Sequence, residues 1–545
     1  MLTDNINKFK SLVYEQSPWR DKPDWYKTDK TLEELETAVR SKLFHPPNMF
    51  YFLKKNFFYK VLKENKNGVK TLQGPRRIGK SSTLKYLIKV LIKDEGYKAK
   101  QFLYLSIDKK PLKDLVNTNK GLLAEGLKSI IDESEKPLII VIDEVTACES
   151  WGDEIKSFLD FNIIDGVGII LTGSYSMALT DQISKIRGRG GELEEDLFLP
   201  PRRFIEVVDA VSDGSTGTFI ANNLGGVKRL GLLEFLGGFQ GELERYRYGY
   251  NQVLNNFLTG FYDKFHAIFG IYRVSGGYPR IFFQAAESTL KGSLNIEDRL
   301  YSEDIYQIFL DDARVLGLNY EELLNIIRRI NNPVMEISKD FATLNPNSMK
   351  LTLLKKYLSY MQLSGLFGFL KRVSSKEDIN YEDKVVTGSD GHPKLVVNDP
   401  SVFVAFYMRS RGAGPIFKKA SDIIFENKKG FLLESIVISH AAYLPQRGRV
   451  PYDHVCYVLE NNVSDSIPEK ETTDILIWYL NHKNELIVIP VEVKSGVYHI
   501  EKIKINAKRL KEMGCGRLIV VVDSKIIDIQ EDYVIVPIEL FLALF

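Results

Sequence analysis

The chain has 545 residues, of which 44% are hydrophobic and 26% charged, and this length exceeds what one hydrophobic core supports. The composition excludes collagen-like, disordered and disulfide-scaffold proteins. Lys and Arg number 73 against 71 Asp and Glu, so the formal charge is +2 and any nucleic-acid surface has to be local. Three distant cysteines and the lack of a long apolar stretch predict a multidomain cytoplasmic protein without a membrane span.

The first 200 residues change from helical to alternating patterns. Apolar residues recur three to four apart in the segment 31–44, which predicts that residues 1–66 are mainly helical. From about Val69, helix-like stretches separate short apolar runs, as in a doubly wound parallel sheet. The strand candidates are VKTLQ, KQFLYLSI, PLIIVIDE and VGIILTGS.

After Pro200 the chain reads as helical until about Val373 and then becomes mixed again. A helix pair followed by the strand-like FGFLKRV is typical of a winged helix, and a generic helical lid is the alternative. The charged stretch 374–394 is the expected exposed connection to the last region. That region offers the helix GFLLESIVISHAAYL, the strand pair TDILIWYLN and ELIVIPVEVKS, another helix, and the closing strand GRLIVVVD.

A glycine-rich loop follows the first strand candidate and precedes a helix. It fits G-x-x-x-x-G-K-[ST] and comprises Gly74, Pro75, Arg76, Arg77, Ile78, Gly79, Lys80, Ser81 and Ser82. Such a loop points backbone N–H groups at phosphate oxygens, and the helix adds its positive N-terminal end. We expect Lys80 to reach the β- and γ-phosphates, Ser81 to place its hydroxyl on Mg²⁺, and Ser82 to touch the α-phosphate. The alternative, a simple turn before a helix, is disfavoured by the strand and helix on either side.

Two polar strand ends complete this site. The run Leu138–Ile142 ends in Asp143 and Glu144, so we expect Asp143 near Mg²⁺ and Glu144 to polarise the attacking water. Thr172 or Ser174, at the end of the next buried run, could orient the same water. Solvated acids capping a strand are the alternative. The loop and acidic strand together predict a P-loop ATPase or GTPase, and ATP is favoured because no N-K-x-D motif is evident downstream.

These motifs resemble those of archaeal-type ATPases of the AAA+/STAND assemblage. Further matching stretches are Pro18-Trp19, Gly188-Arg189-Gly190 with Leu199-Pro200, Phe204 and Glu206, and Gly276-Gly277-Tyr278-Pro279-Arg280. The resemblance implies a helical lid, a winged helix and often a restriction-endonuclease-like C-terminal domain. It also suggests Arg189 or Arg280 as a sensor or finger that stabilises transition-state charge, with a surface arginine as the alternative. An arginine supplied by a second copy would require self-association.

Four residues near the C-terminus form a second candidate site. Glu492 and Lys494 are two apart on a strand and share a face, and Asp474 starts the paired strand. Glu434 on a preceding helix supplies a possible third carboxylate, so the set could bind Mg²⁺ while Lys494 activates water or stabilises the pentacovalent phosphate. This is the D…E-x-K arrangement of PD-(D/E)xK nucleases, although Thr472 stands where related domains often carry Glu. A solvated acid–base pair in a domain that only binds is the alternative.

The predicted fold class is α/β, with a P-loop NTPase parallel sheet core, a helical lid and winged helix, and a C-terminal α/β restriction-endonuclease-like domain. The expected domains are an N-terminal helical segment, the ATPase core, the lid, the winged-helix-like part and the nuclease-like domain, at residues 1–66, 67–200, 201–302, 303–375 and 376–545. We expect a switch driven by ATP and Mg²⁺, with DNA as candidate partner and a candidate metal-dependent nuclease. The alternative is a signalling or scaffold ATPase whose C-terminal domain is a catalytically silent binding module.

Overall fold

The structure is a computed structural model that forms two compact units, residues 1–200 and 201–545. The described residues are 2–22, 24–40, 46–162, 165–173, 185–211, 214–224, 227–239, 247–292, 294, 296–337, 342–345, 349–373, 379–380, 385–386, 393–409, 428–443, 455–460, 470–480 and 485–545. Among them, no helix has the length and apolar character needed to cross a membrane. Most of the predicted connection 374–394 lies outside the described residues.

The first unit combines helices with one five-stranded sheet. Its described helices are α1 (Leu2–Glu15), α2 (Lys30–Arg40), α3 (Asn48–Leu53), α4 (Tyr59–Glu64), α5 (Lys80–Lys89), α6 (Lys110–Thr118), α7 (Leu122–Glu133) and α8 (Trp151–Asn162). Its strands are β1 (Gly68–Gln73), β2 (Phe102–Ser106), β3 (Leu138–Asp143), β4 (Val167–Thr172) and β5 (Glu195–Phe198). The predicted helical character of residues 1–66 and the first four strands are therefore confirmed.

All strand pairs of this sheet are parallel, in the order β2-β3-β4-β1-β5. Strands β1 to β4 are buried along their whole length because helices cover both faces, which explains their continuous apolar runs. The result is the mixed α/β class with the parallel sheet typical of a P-loop ATPase core, as predicted. Parallel strands end at the same edge, so the polar residues that follow β1, β3 and β4 share one edge.

Strand β5 was missed by the sequence analysis because its first half is acidic. The structure pairs these acids with polar residues of β1: Lys70 lies 2.5 Å from Glu195, and the Thr71 hydroxyl donates to Asp196 over 2.7 Å. Lys70 is 3% exposed, so its ammonium requires such a partner. The pairing places β5 beside β1 and carries the chain back to the glycine-rich loop.

Edge strand β2 is covered by side chains of the N-terminal segment rather than by another strand. The Ser17 hydroxyl donates to the Tyr104 carbonyl and accepts from the Tyr104 amide, over 3.0 and 2.9 Å. The Trp19 indole donates to the Phe102 carbonyl over 3.0 Å, and the Gln16 amide oxygen accepts from the backbone of Ser106 over 2.8 Å. These contacts satisfy the open backbone groups of the edge. They give the Pro18-Trp19 stretch a structural role.

The second unit begins with helices and ends in mixed α/β structure. Its described helices are α9 (Phe204–Val211), α10 (Gly214–Asn223), α11 (Val227–Leu236), α12 (Arg247–Asn256), α13 (Tyr262–Ser275), α14 (Pro279–Leu290), α15 (Asp298–Tyr301), α16 (Ile308–Val315), α17 (Tyr320–Ile327), α18 (Leu351–Leu363), α19 (Pro400–Arg409), α20 (Lys429–Ala441), α21 (Ile500–Glu512) and α22 (Ile538–Leu542).

A nine-stranded mixed sheet forms the centre of this unit, with a separate two-stranded sheet. The nine strands are β6 (Val334–Glu336), β7 (Phe367–Val373), β10 (Lys394–Val397), β11 (Val455–Glu460), β12 (Lys470–Leu480), β13 (Leu486–Lys494), β14 (Leu518–Val522), β15 (Asp528–Ile529) and β16 (Tyr533–Pro537). The order is β15-β16-β14-β13-β12-β11-β7-β10-β6, and β8 (Ile379–Asn380) pairs with β9 (Val385–Val386). The strand pair and closing strand predicted from the sequence are confirmed. The sheet runs across the boundary expected near residue 375.

The Gly-Gly-Tyr-Pro stretch forms a tight link between α13 and α14. Gly276 has φ of 61°, and Pro279 starts α14 where its missing N–H costs nothing. The backbone amide of Gly277 donates to the buried Asp399 carboxylate over 2.7 Å, and its carbonyl accepts from the Arg202 amide over 3.0 Å. A Cβ on Gly277 would lie 2.0 Å from the Arg202 carbonyl oxygen. Close backbone approach therefore explains the glycine.

Candidate nucleotide site and a second carboxylate site

The glycine-rich loop lies between the carboxyl end of β1 and the start of α5. Gly74 and Gly79 have φ of 145° and 98°, in the region that favours glycine. At Gly74 an added Cβ would lie 2.4 Å from the Leu199 carbonyl oxygen, since the backbone after β5 runs against the loop. At Gly79 no atom lies within 4 Å of an added Cβ. The first glycine therefore serves packing and conformation, and the second serves conformation alone.

Lys80 is buried inside this loop and is only 5% exposed. Its ammonium donates to the carbonyl oxygens of Gly74 and Pro75 over 2.8 and 3.0 Å. Ser81 and Ser82 follow in the first turn of α5, half-buried at the helix N-terminus. Ile78 is buried, whereas Arg76 and Arg77 are exposed. A cation and a helix N-terminus thus face the same small space, which suits an anion.

Asp143 ends β3 with both carboxylate oxygens hydrogen-bonded. The Tyr104 phenol donates to Oδ2, and the Thr172 hydroxyl donates to Oδ1. Asp143 is 2% exposed and Thr172 is fully buried. Burial and the nearby Asp143 raise the pKa of Tyr104 well above its usual value, while hydrogen bonding to Ser81 opposes this rise. Ser81 and Asp143, the two residues expected to bind Mg²⁺, therefore both hydrogen-bond with the Tyr104 phenol.

Glu144 follows Asp143 in a left-handed conformation, with φ of 48°. Its amide donates to the Thr172 hydroxyl over 3.3 Å, which links the ends of β3 and β4. Burial raises the pKa of Glu144 above its usual value, and the positive charge of Lys80 acts in the opposite direction. A half-buried carboxylate with a raised pKa and a lysine nearby is suited to accept a proton from water.

Each of the two candidate sensor arginines pairs with an acidic residue. Arg189 contacts the Asp160 carboxylate over 2.7 Å and the Lys185 carbonyl over 3.0 Å. The next residue, Gly190, accepts a hydrogen bond from the Val69 amide at the start of β1, so Arg189 lies near the sheet edge opposite the loop. Arg280 belongs to the second unit, where it pairs with the Asp304 carboxylate over 2.9 Å. Ser174 lies outside the described residues.

Residues 66–208 match a family model described as an AAA domain. The match spans the glycine-rich loop, the acidic end of β3 and the Thr172 strand end. The part of the chain that carries the motifs is therefore similar to an AAA domain. A search of the curated proteins finds no match.

Three solved structures show similarity that covers between 49% and 72% of the chain. The Aeropyrum pernix ORC2 protein in ADPNP-ADP complexes shares 12% identity with a TM-score of 0.33, covering 72% of this chain and 95% of its own. The Aeropyrum pernix ORC1 protein in complex with DNA shares 12% identity with a TM-score of 0.28, and the alignment covers 71% of this chain and 94% of ORC1. C. elegans PCH-2 shares 14% identity with a TM-score of 0.24, and the alignment covers 49% of this chain and 63% of PCH-2. TM-scores this low support no argument about function.

The second site lies in the other unit, on adjacent strands β12 and β13. Ile475 pairs with Val491, so Asp474 and Glu492 occupy neighbouring positions on the two strands. The Asp474 carboxylate accepts from the Val493 amide over 2.5 Å. Glu492 contacts the Lys494 ammonium through one oxygen at 2.5 Å, while its other oxygen is buried and finds no hydrogen-bond partner in the described part of the chain. The structure thus brings these three predicted residues together.

Glu434 reaches the same site from α20. Burial lowers the pKa of Lys494, but the negative charges of Glu492, Asp474 and Glu434 outweigh it, and the net pKa is raised. Lys394 of β10 is a further member: its ammonium lies 3.1 Å from the Glu434 carboxylate and 3.5 Å from the Asp474 carbonyl. Thr473, Asp474, Glu492 and Lys494 line a cavity of about 410 Å³, together with Val497, Tyr498, His499, Lys502, Ile503 and Asn506.

Sequence reasoning missed two residues of these sites. Tyr104 lies inside a buried strand candidate, where its phenol requires a hydrogen-bond partner. That requirement could have indicated a polar partner on the neighbouring strand. Lys394 precedes the apolar Leu395, and a lysine in a buried strand similarly calls for an acidic partner. In both cases the signal is a polar residue in an apolar run.

Proposed function

We propose that the chain is an ATPase that binds ATP and Mg²⁺ at the loop Gly74–Ser82 and hydrolyses ATP as a molecular switch. One observation carries this proposal: the buried Lys80, the acidic end of β3 and Thr172 share the carboxyl edge of one parallel sheet. The match of residues 66–208 to an AAA domain supports it.

The residues at this edge of the sheet have separate roles in ATP hydrolysis. Lys80 exchanges its two carbonyl contacts for the β- and γ-phosphates, and the N-terminus of α5 adds N–H donors. Ser81 and Asp143 would hold Mg²⁺, whose bound charge offsets that of the phosphates. Glu144 accepts a proton from the attacking water, and Thr172 fixes the position of Asp143 and the backbone of Glu144.

Two substitutions test this assignment. Lys80→Ala should abolish ATP binding, and Glu144→Gln should retain binding but lower the turnover rate at least about 100-fold, as expected for loss of a general base. Exposed neighbours serve as matched controls: Lys113→Ala and Glu149→Gln should leave both quantities unchanged. Binding is measured with a fluorescent ATP analogue and turnover by phosphate release. Turnover that survives both site substitutions would overturn the proposal.

The second unit is the part that we infer to act on DNA. Helices α16, α17 and α18 with strands β6, β7 and β10 support a winged helix, because β7 follows α18 and forms an antiparallel pair with β10. Lys355 and Lys356 are exposed on α18 and offer phosphate contacts.

Binding of labelled duplex DNA at several salt concentrations tests this inference. Replacing Lys355 and Lys356 by Glu should weaken binding and reduce its salt dependence, because phosphate contacts release counterions. Replacing Lys504 and Lys508 by Glu, at two exposed positions of α21, is the control matched for charge. If the double variant binds DNA as wild type does, these lysines are not the DNA contact.

A metal-dependent nuclease is the second candidate function, favoured by the carboxylate site of the second unit. Asp474, Glu434 and the unpartnered oxygen of Glu492 supply the oxygen ligands that Mg²⁺ prefers, so the residues fit the ion. Lys494 contacts Glu492 and would stabilise negative charge on a phosphate in the cavity. Lys502 adds a cation to the cavity wall.

Cleavage of plasmid and single-stranded DNA with Mg²⁺ or Mn²⁺ tests the second candidate. Asp474→Asn and Lys494→Ala should each abolish cleavage, and Lys504→Ala on the nearby helix should not. Cleavage that persists in both site variants would rule out this site. If the wild-type chain cuts no DNA with either metal, with or without ATP, the alternative of a catalytically silent binding module in a signalling or scaffold ATPase is favoured.

A further inference from the structure

Two acidic residues follow the ends of neighbouring strands in the second unit. Asp523 comes directly after β14, and Glu539 lies two residues beyond β16. The two strands are parallel and adjacent, with Val522 opposite Pro537. Their carboxyl ends therefore meet at one edge of the sheet, which brings the two carboxylates together. Neither residue belongs to the nucleotide site or to the site around Glu492.

His266 of α13 completes this group from a distant part of the sequence. Its Nδ1 lies 2.6 Å from a carboxylate oxygen of Glu539, and its ring stacks on Tyr262 with centroids 5.4 Å apart. One ligand atom each from His266, Asp523 and Glu539 can be chosen so that all three lie within 4.8 Å of one another. A nitrogen and two carboxylate oxygens thus converge on one point.

The carboxylates of this group carry unsatisfied oxygens. Glu539 is fully buried, and its Oε2 has no hydrogen-bond partner among the residues that the structure describes. Within the same residues, Oδ1 of Asp523 is buried without a partner as well, and so is the adjacent Ser524 hydroxyl. Burying a carboxylate oxygen without a donor or a cation is costly, so such oxygens are a sign of an ion-binding site.

We propose that His266, Asp523 and Glu539 bind one first-row transition-metal dication of the Zn²⁺ class. An imidazole with two carboxylates suits Zn²⁺, Co²⁺ or Mn²⁺, whereas Mg²⁺ and Ca²⁺ favour all-oxygen ligands. Ligand atoms about 2 Å from a tetrahedral metal lie about 3.3 Å from one another, so the most widely separated atoms of this group would have to approach by up to about 1.5 Å. His266 has half of its side chain exposed, which gives the ion a path of entry.

The charges around the site favour the binding of a dication. Lys429 lies 2.5 Å from Oδ2 of Asp523, so it neutralises one of the two carboxylates and leaves Oδ1 open. Lys525 is engaged with Asp263 at 3.1 Å. With a neutral imidazole, the group of His266, Asp523, Glu539 and Lys429 has a net negative charge. A bound dication reverses that sign and satisfies the open oxygens.

Such an ion would act as a cross-link within the second unit. It would tie α13, which lies among the helices after Pro200, to the ends of β14 and β16 near the C-terminus. Because the three ligands come together only in the folded chain, binding of the ion stabilises the native state. The role does not depend on ATP hydrolysis or DNA cleavage, so it can be tested without either activity.

The test uses the full chain, stripped with a chelator and titrated with Zn²⁺ without nucleotide. We expect one tightly bound Zn²⁺ per chain and a higher unfolding temperature with the metal. His266→Ala and Glu539→Gln should lose both effects. Asp263→Asn, which alters an exposed acid on the same helix, should keep them. Because Glu434 and Glu492 form another carboxylate site, their Gln variants should also retain the tight Zn²⁺.

Co²⁺ provides a second readout that reports the ligand type. Bound to this site it should give visible absorption bands from a histidine and carboxylate environment, and His266→Gln should remove them. His266 is half-exposed, so His266→Gln is expected to fold. It therefore tests the proposal even if Glu539→Gln fails to fold. The proposal is overturned if wild type retains no stoichiometric Zn²⁺, or if the His266 variants bind Zn²⁺ as wild type does.

Discussion

The Tyr104 phenol donates a hydrogen bond to Oδ2 of Asp143 across the neighbouring strands β2 and β3. Burial of the phenol, followed by the negative charge of Asp143, raises the pKa of Tyr104 well above its usual value, so the phenol is a protonated donor. Together with the Thr172 hydroxyl on Oδ1, it fixes the orientation of the carboxylate. The expected magnesium residue is therefore positioned by strands on both sides.

Tyr104→Phe should destabilise the first unit by about 2 kcal/mol, because a buried hydrogen bond to a charged group is lost. It should also raise the Mg²⁺ concentration needed for half-maximal ATP turnover, because Asp143 loses one of its two orienting donors. Unfolding by urea and a Mg²⁺ titration of turnover measure the two effects. Tyr97→Phe, which alters a tyrosine outside the sheet, is the matched control. An unchanged Mg²⁺ requirement would restrict Tyr104 to a structural role.

The raised pKa of Glu144 predicts a specific pH dependence. A general base works only when deprotonated, so the rate of ATP hydrolysis should fall as the pH drops through the pKa of Glu144. Since burial raises that pKa, the fall should occur above the value near 4.3 of an ordinary glutamate. Turnover at saturating ATP and Mg²⁺ between pH 5 and 8 measures it. The residual rate of Glu144→Gln should lack this limb, and the same limb in that variant would contradict the assignment.

The two loop glycines should respond differently to alanine. Gly74→Ala places a Cβ 2.4 Å from the Leu199 carbonyl oxygen, so the loop or the segment after β5 has to move, and ATP binding should be lost. Gly79→Ala meets no atom and costs only the strain of a positive φ, about 1–2 kcal/mol. Thermal unfolding with and without ATP compares the pair. Equal effects on ATP binding would show that the contact with Leu199 does not matter.

The nucleotide site could be predicted because its signals are local. Lys80 and Ser81 belong to a short motif with fixed spacing, and Asp143 directly follows a strand that is apolar at every position. The parallel arrangement of the strands then brings the loop and the acids to one edge without further information. Local sequence patterns therefore specify both the elements and their meeting point.

The other features depend on contacts between distant residues. Strand β5 was missed because its acids look solvent-exposed until Lys70 is seen beside Glu195. The His266 group was missed because a histidine at position 266 and acids at 523 and 539 have no ligand spacing along the chain. Such groups require the tertiary structure, since only the sheet and helix packing brings them together.

His440 is a further distant contact, buried under the start of α9. Its Nε2 accepts from the Phe204 amide over 3.0 Å, and its Nδ1 donates to the Ile436 carbonyl over 2.7 Å. In the neutral ring, both nitrogens have a hydrogen-bond partner. A second proton, on Nε2, would point at the Phe204 N–H. Burial lowers the pKa of His440 to about 4. The folded state therefore excludes a proton that the unfolded chain binds below about pH 6.5.

The neutral His440 predicts acid-sensitive stability in the second unit. Between about pH 6.5 and 4 the unfolded state binds more protons, so the free energy of unfolding should fall as the pH falls, by up to about 3 kcal/mol from this group. Asp399, whose pKa burial raises to about 6, acts in the opposite direction, so the comparison has to be made between variants. His440→Gln should reduce the fall in unfolding temperature from pH 7 to 4.5, whereas His499→Gln, at an exposed histidine, should reproduce wild type. If His440→Gln shows the wild-type fall, the buried ring does not set the acid sensitivity, because a glutamine at this position cannot take up the proton.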